Sequence, residues 1–440
     1  MNKWLIIHAV AMIWVYATSG GMFYAFGGLA TDLKTAGDFS QTQINTLGGT
    51  CYTAGLSAML PIAFFASNAL RVTFVTLLTF PIIGWGLLVW VMATRPESFQ
   101  LVMLGFIIAC IGDAGAVTPA NVLFVTFMED PLTEDELVRL IWDQAWIQKN
   151  AITGFMVLFA LSGGLASVVY IYSPGLPQNK LDWFFVGSFV VSCISLVVGT
   201  TWIAGVDLVS QRLRRRGRER GLRVVANNGV DDEGPQPWED RSLLTRWILL
   251  LNNLDLWLGF WGLFFLFGPA VNFYNNAGSM MLAMGADEDA LGLIYLLFSG
   301  GQIVGRIITS SLITKSKSPW GPTVCVILFS VVLFLVSLVL WLDMDLWLIR
   351  VFTVLNALVY GSLWTVIFEI PTPGKLLPAN FPAETGFNWA EGYGILCFAP
   401  AFSPLCFDYL SGYLYDQHLE EGSIFCYGHK CYSRYFLYSA

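Results

Sequence analysis

Residues 211–241 read QRLRRRGRERGLRVVANNGVDDEGPQPWEDR, basic first and acidic afterwards, with Gly and Pro scattered through. Such a composition cannot bury a core. On either side of it the chain is the reverse, a series of long apolar segments. They run approximately over 4–30, 47–68, 72–94, 100–128, 147–172, 183–204, 247–274, 291–314, 319–341, 346–370 and 387–415. Each supplies the roughly 20 residues that cross about 30 Å of hydrocarbon. The sequence therefore reads as an all-α integral membrane protein in three parts: an N-terminal bundle over 1–204, a polar linker over 205–246 and a C-terminal bundle over 247–440.

Only 12% of the residues are charged, against about 25% for a soluble domain. That excludes a soluble multidomain protein, and the placement of the basic residues orients the chain. With the N-terminus in the cytoplasm, 16 Lys and Arg fall inside and 5 outside, leaving Arg306 and Arg350 within the spans. Nine of the 16 are arginines between 212 and 246, so that loop decides the orientation. The linker reads as a topology-setting loop with affinity for the lipid bilayer surface rather than for nucleic acid. The first apolar segment is too long for a signal-peptide core and reads as a retained helix. There is no Walker A string, no G-x-G-x-x-G and no N-x-[ST] sequon, so no nucleotide-driven pump, cofactor or glycosylation is expected.

Ionisable groups inside hydrocarbon cost roughly 2.5–3.5 kcal/mol on insertion scales and mark candidate functional sites. Asp113, in ACIGDAGAVTPAN, is placed deepest of the carboxylates, about 20 Å from the start of its span. A proton-coupling acid and a structural hydrogen-bond acceptor are both open readings for it. Arg306, in SGGQIVGRIITSSL, is a candidate anion contact or gate, while Arg350 reads as an interfacial anchor. His8 is the lone histidine within a span and reads as a packing residue. Asn275 and Asn276, in AVNFYNNAGSM, either meet a solute or cap the end of the seventh span. Tyr24 is a further candidate cavity group, and Glu391 reads as interfacial. Six cysteines are scattered singly in spans, but Cys426 and Cys431 bracket CYGHKC on the outer side, where a disulfide is the favoured reading over a metal site. The Gly112–Asp113 and Tyr415–Asp416 pairs look superficially like the acids of intramembrane aspartyl proteases. Their order is reversed and residue 110 is Cys, so no enzyme is expected.

Several stretches, taken in order, resemble the Nodulin-like branch of the major facilitator superfamily, a branch related to monocarboxylate transporters. They are GGMFYAFGGLATDLKTAGDFSQTQINTLGG, KNAITGFMVLFALSGG, DLWLGFWGLFFLFGPAVNFYNNAGSM, GQIVGRIITSSL, NALVYGSLWTV and SGYLYDQHLEEGSIFCYGHKCYSRYF. The resemblance implies a major facilitator fold of two six-helix bundles, with helices one, four, seven and ten lining a midplane site. It also implies transport of a small-molecule solute driven by an ion gradient or by exchange. The loop ASNALRVTF lacks the family's acidic residue, and Gln302 stands where monocarboxylate transporters place an Asp four residues before the eighth-helix Arg. Against the family's pattern the twelfth helix is truncated after RYFLYSA.

The expected function is therefore a secondary transporter of a small, anionic organic solute. Asp113, Arg306, Asn275, Asn276 and Tyr24 are its candidate site residues, with no cofactor and no metal. The alternatives are a non-transporting sensor on the same fold, or a metal-ion or amino-acid transporter. Oligomeric state and the identity of the membrane are not written in these residues. Replacing the nine arginines of 212–246 by glutamine should leave a 7 to 5 bias and yield a mixed orientation, read by reporters fused at both termini.

Overall fold

The computed structural model describes residues 10–11, 13–15, 17–18, 26–129, 144–173, 177–219, 251–252, 254–283, 285–315, 321–342, 345–369 and 389–420. Among them there is no strand, and eleven helices follow one another. In chain order they are α1 (Phe26–Gly37), α2 (Gln41–Ser57), α3 (Met59–Thr94), α4 (Phe99–Glu129), α5 (Gln144–Ile171) and α6 (Pro177–Glu219). After the linker come α7 (Leu254–Ala283), α8 (Glu288–Lys315), α9 (Gly321–Leu342), α10 (Leu346–Glu369) and α11 (Trp389–Glu420). Residues 10–18 include further helical residues of the first span. Seven of the helices are long and apolar enough to cross a membrane. Exposed Trp183, Val197, Trp261 and Phe265 on these helices, and Phe334 and Leu335 on α9, form outer faces that suit acyl chains and not water.

Helix ends depart from the expected spans where local chemistry extends them. α2 begins at Gln41 rather than near 47 because Ser40 is an N-cap: its hydroxyl accepts from Gln43 N, and the Gln43 side chain accepts from Ser40 N. Asp38 (φ 51°) takes the left-handed conformation in the turn before it. The boundary between the second and third spans falls inside α3 at Ala69, whose φ of −145° and ψ of 53° break the helix. α7 continues to Ala283, well beyond 274, so Asn275 and Asn276 lie about two turns inside a helix and do not cap its end. α6 runs on to Glu219, so the first part of the basic stretch is helical. Glu391 lies near the start of α11. Residues 421–440, with the Cys426–Cys431 pair and the truncated segment, and also His8 and Tyr24, lie outside the described residues.

Helices of the first half, α1–α6, meet those of the second, α7–α11, mainly through α2 against α11 and α5 against α8. Glycine permits the closest approaches. A Cβ on Gly49 would stand 2.6 Å from Leu405 Cα, and one on Gly412 2.7 Å from Thr42 Cα. Within the second half, Gly301 and Gly305 of α8 and Gly361 of α10 press backbone on backbone, so that a Cβ on Gly305 would run into Leu358 O and one on Gly361 into Gln302 O. This is close packing of the small-xxx-small kind that apolar solvent favours. Gly305→Ala should therefore destabilise the protein by about 1–3 kcal/mol through overpacking. Gly300→Ala, with open space around its Cβ, should not; melting of the detergent-purified variants compares the two.

Candidate functional site

At one end of the helix bundle, the end that holds the α1–α2 turn, polar side chains of α2, α7 and α11 close a ring. Gln41 Nε2 donates to Asn45 Oδ1 (2.9 Å) and to Asn276 Oδ1 (3.2 Å). Asn276 Nδ2 donates to Asn272 Oδ1 (2.9 Å), which also accepts from Ser411 Oγ (2.8 Å). Ser411 Oγ in turn accepts from Asn45 Nδ2 (3.0 Å), completing the circuit. Five neutral groups thus join both halves, and Gln41, Asn45 and Asn276 are each held as donor and as acceptor, which makes the network specific as well as cohesive. Toward the helix ends the ring is extended by charge: Lys34 Nζ donates to Gln41 Oε1 (2.9 Å) and lies 5.5 Å from the centre of the Tyr415 ring. Asp416 Oδ2 accepts from Thr42 N (2.8 Å) and from the Thr42 hydroxyl.

A second junction lies beside it. Tyr295 of α8 donates its hydroxyl to Gly27 O of α1 (2.6 Å), and Ser167 of α5 faces the Tyr274 hydroxyl at 3.5 Å. Gly27 admits both tyrosines, since a Cβ there would stand 2.9 Å from the Tyr295 ring and 3.2 Å from that of Tyr274. The two junctions bond the halves to each other at this end.

Asn276, expected as a site residue, is a member of the ring. Asn275 is buried (3% exposed) and donates through Nδ2 to Asp408 Oδ2 at 2.7 Å. Asp408 was not among the expected site residues, and its burial is complete, at 0% exposed against 5% for Asp113. The signal for it was present in PLCFDYLSGY, a lone acid in an apolar span. Asp113 sits within the first half, where it accepts a 3.3 Å bond from Trp85 Nε1. It borders a narrow cavity with room for about one water, lined also by Thr18, Pro81 and Ser195. Trp14 Nε1 donates to Ser195 Oγ (3.0 Å), which reaches Thr18 Oγ1 (3.2 Å), so polar groups of the first and sixth spans converge beside Asp113.

Arg306 is 1% exposed on α8, with Nη2 3.4 Å from Gln302 Oε1, the position that carries Asp in monocarboxylate transporters. On α7, α8 and α10, Phe267, Phe298, Tyr360 and Trp364 form a chain of edge-to-face or tilted ring contacts. The structure brings Asn275 and Asn276 together with Asp408 and the ring at the α2–α7–α11 junction. Asp113 and Arg306 belong to separate packings in the two halves. Asp113 and Asp416 likewise bond different partners. Among the described residues no three His, Cys, Asp or Glu side chains gather as metal ligands do.

No protein-family model matches the sequence, and no curated protein does either. Solved structures do. A D-xylose–proton symporter aligns over 99% of this chain and 95% of its own at 12% identity and a TM-score of 0.64. A nucleoside transporter aligns over 99% and 96% at 11% identity and 0.63. A bacterial homologue of the human lysosomal transporter Spinster, inward-facing and unoccupied, aligns over 96% and 86% at 14% identity and 0.61. The chain has the major facilitator fold.

Removing the ring hydroxyl tests its contribution. Ser411→Ala takes the acceptor from Asn45 and a donor from Asn272, an expected loss of about 1–3 kcal/mol. Thr94→Ala, whose hydroxyl bonds only Trp90 O at an exposed helix end, should leave the melting temperature unchanged.

Proposed function

We propose that this protein is a secondary active transporter that moves a small, anionic organic solute across a bilayer by alternating access. The reading is carried by the junction between the halves: a major facilitator fold whose two halves are joined at one end by hydrogen bonds and small-residue contacts that can be broken without unfolding either half. With the N-terminus and the linker in the cytoplasm, as the basic residues favour, the closed end is the outer one. The form described is then closed to the outside, like the inward-facing Spinster homologue.

The solute class rests on Arg306 and on the sequence resemblance to monocarboxylate transporters. The structural neighbours named above carry a sugar and nucleosides, so the charge of the solute is the point on which this chain is read differently. A buried guanidinium on α8 is a donor suited to a carboxylate. Asp113 is read as a polar group of the first half, acting on the cavity it shares with Thr18 and Ser195. Asn275 and Asn276 are read as junction groups rather than direct solute contacts, and Tyr24 is kept as a candidate cavity residue.

Two measurements bear on this reading. In proteoliposomes, uptake of small monocarboxylates should exceed uptake of neutral sugars. Arg306→Gln should lower it roughly ten- to hundredfold, the equivalent of a charge-assisted bond of about 1.5–3 kcal/mol. Equal uptake of neutral solutes, unaffected by Arg306→Gln, would overturn the anionic reading. Cysteines placed at 42 and 416 and joined by a short bifunctional reagent should arrest uptake, and cleavage of the link should restore it.

A further inference from the structure

Asp408 lies on α11 between the two points where that helix touches α2, Leu405 against Gly49 and Gly412 against Thr42. Gly48 of α2 faces its partner: a Cβ there would stand 2.9 Å from Asn275 Nδ2. The pair is therefore enclosed by α2, α7 and α11 at the seam between the halves. Its hydrogen bonding is half complete. Asn275 Nδ2 donates to Asp408 Oδ2 at 2.7 Å, while Asp408 Oδ1 and Asn275 Oδ1 are both buried with no partner among the described residues. Each is an acceptor, and each lacks a donor.

One hydrogen supplies both. A carboxylic acid carries a hydroxyl on one oxygen and a carbonyl on the other, which complements the carbonyl and NH₂ of a primary amide. With the proton on Asp408 Oδ1, the acid donates to Asn275 Oδ1 and accepts from Asn275 Nδ2. Among the described residues no charged side chain bonds the Asp408 carboxylate, and Lys34 of α1, which lies against Tyr415 seven residues on, donates to Gln41. α2 carries no charged residue, and those of the other helices packed on α11 (Arg71 of α3, Asp255 of α7, Arg350 and Glu369 of α10) lie within five residues of a helix end or of the Ala69 break. On α11 itself the next described carboxylate is Asp416, bonded to Thr42 eight residues on. The titratable neutral groups on these faces, Cys51, Tyr52, Tyr274 and Tyr360, do not bond Asp408.

We propose that Asp408 is a proton-binding site: the closed form holds a proton on it in an acid–amide pair with Asn275, and loss of that proton loosens the α2–α7–α11 junction. Deprotonation breaks the O–H bond, leaves its electron pair on the carboxylate and passes the proton to water. A bare carboxylate with a single hydrogen bond is not tolerated in so dry a seam, so the helices part until water reaches it. Resting on the transporter reading, this makes the proton the coupling ion and closure of the outer end its coupled step.

Infrared difference spectra of the purified full-length protein between neutral and alkaline pH, in H₂O and D₂O, test the site without any solute. A protonated-carboxyl band that titrates, shifts in D₂O, disappears in Asp408→Asn and persists in Asp113→Asn is the expected result. Asn at 408 still pairs with Asn275, so this variant should fold. Deuterium uptake in residues 41–49 and 405–412, corrected for intrinsic exchange, should rise with pH in the parent and not in Asp408→Asn. No band assignable to Asp408, or the same rise in both proteins, overturns the proposal. If band and exchange behave as expected while vesicles move no solute, the transporter reading fails and the proton site stands.

Discussion

Backbone contact between α2 and α11 is the constraint on which the remainder depends. Two helices can approach to the distance at which Gly49 meets Leu405 and Gly412 meets Thr42 only where side chains are absent. That approach places Gln41, Asn45 and Ser411 within bonding reach of one another and of Asn272 and Asn276 on α7. In hydrocarbon, burial of apolar surface gives helices little reason to associate. Shape and polar pairing must then hold the halves together, and here both act at one seam.

The same seam accounts for the distribution of polar side chains in the second half. Asn272, Asn275, Asn276, Asp408 and Ser411 would be costly facing lipid. They gather instead on the faces of α7 and α11 turned to each other and to α2. On α11 the opposite face carries Tyr409 and Leu410 outward. One stretch of sequence thus specifies both a lipid-facing surface and a polar junction, by residue type at helical spacing.

Much of the architecture was legible in the chain. Apolar length marked the helical segments, seven of which among the described residues are long and apolar enough to cross a membrane, because the solvent permits only helices of about that length. Ends were less legible where short-range chemistry outruns hydropathy, as at Ser40 with Gln43. The site was legible in part. Asn275 and Asn276 stood out as an amide pair, but a single sequence does not show that their partners lie more than 130 residues away, in α11, or more than 230 away, in α2. Asp408 stood in the sequence as a lone acid seven residues inside an expected span, but nothing there shows that it meets Asn275.

The amide ring has one more consequence. Its five members carry no net charge, so a membrane potential, which does about 2.3 kcal/mol of work per elementary charge per 100 mV, does none on them. Making or breaking the ring is electrically silent. Whatever voltage dependence the conformational cycle shows must enter through the charged groups beside the ring, Lys34, Asp416 and the proton on Asp408, or through ions that travel.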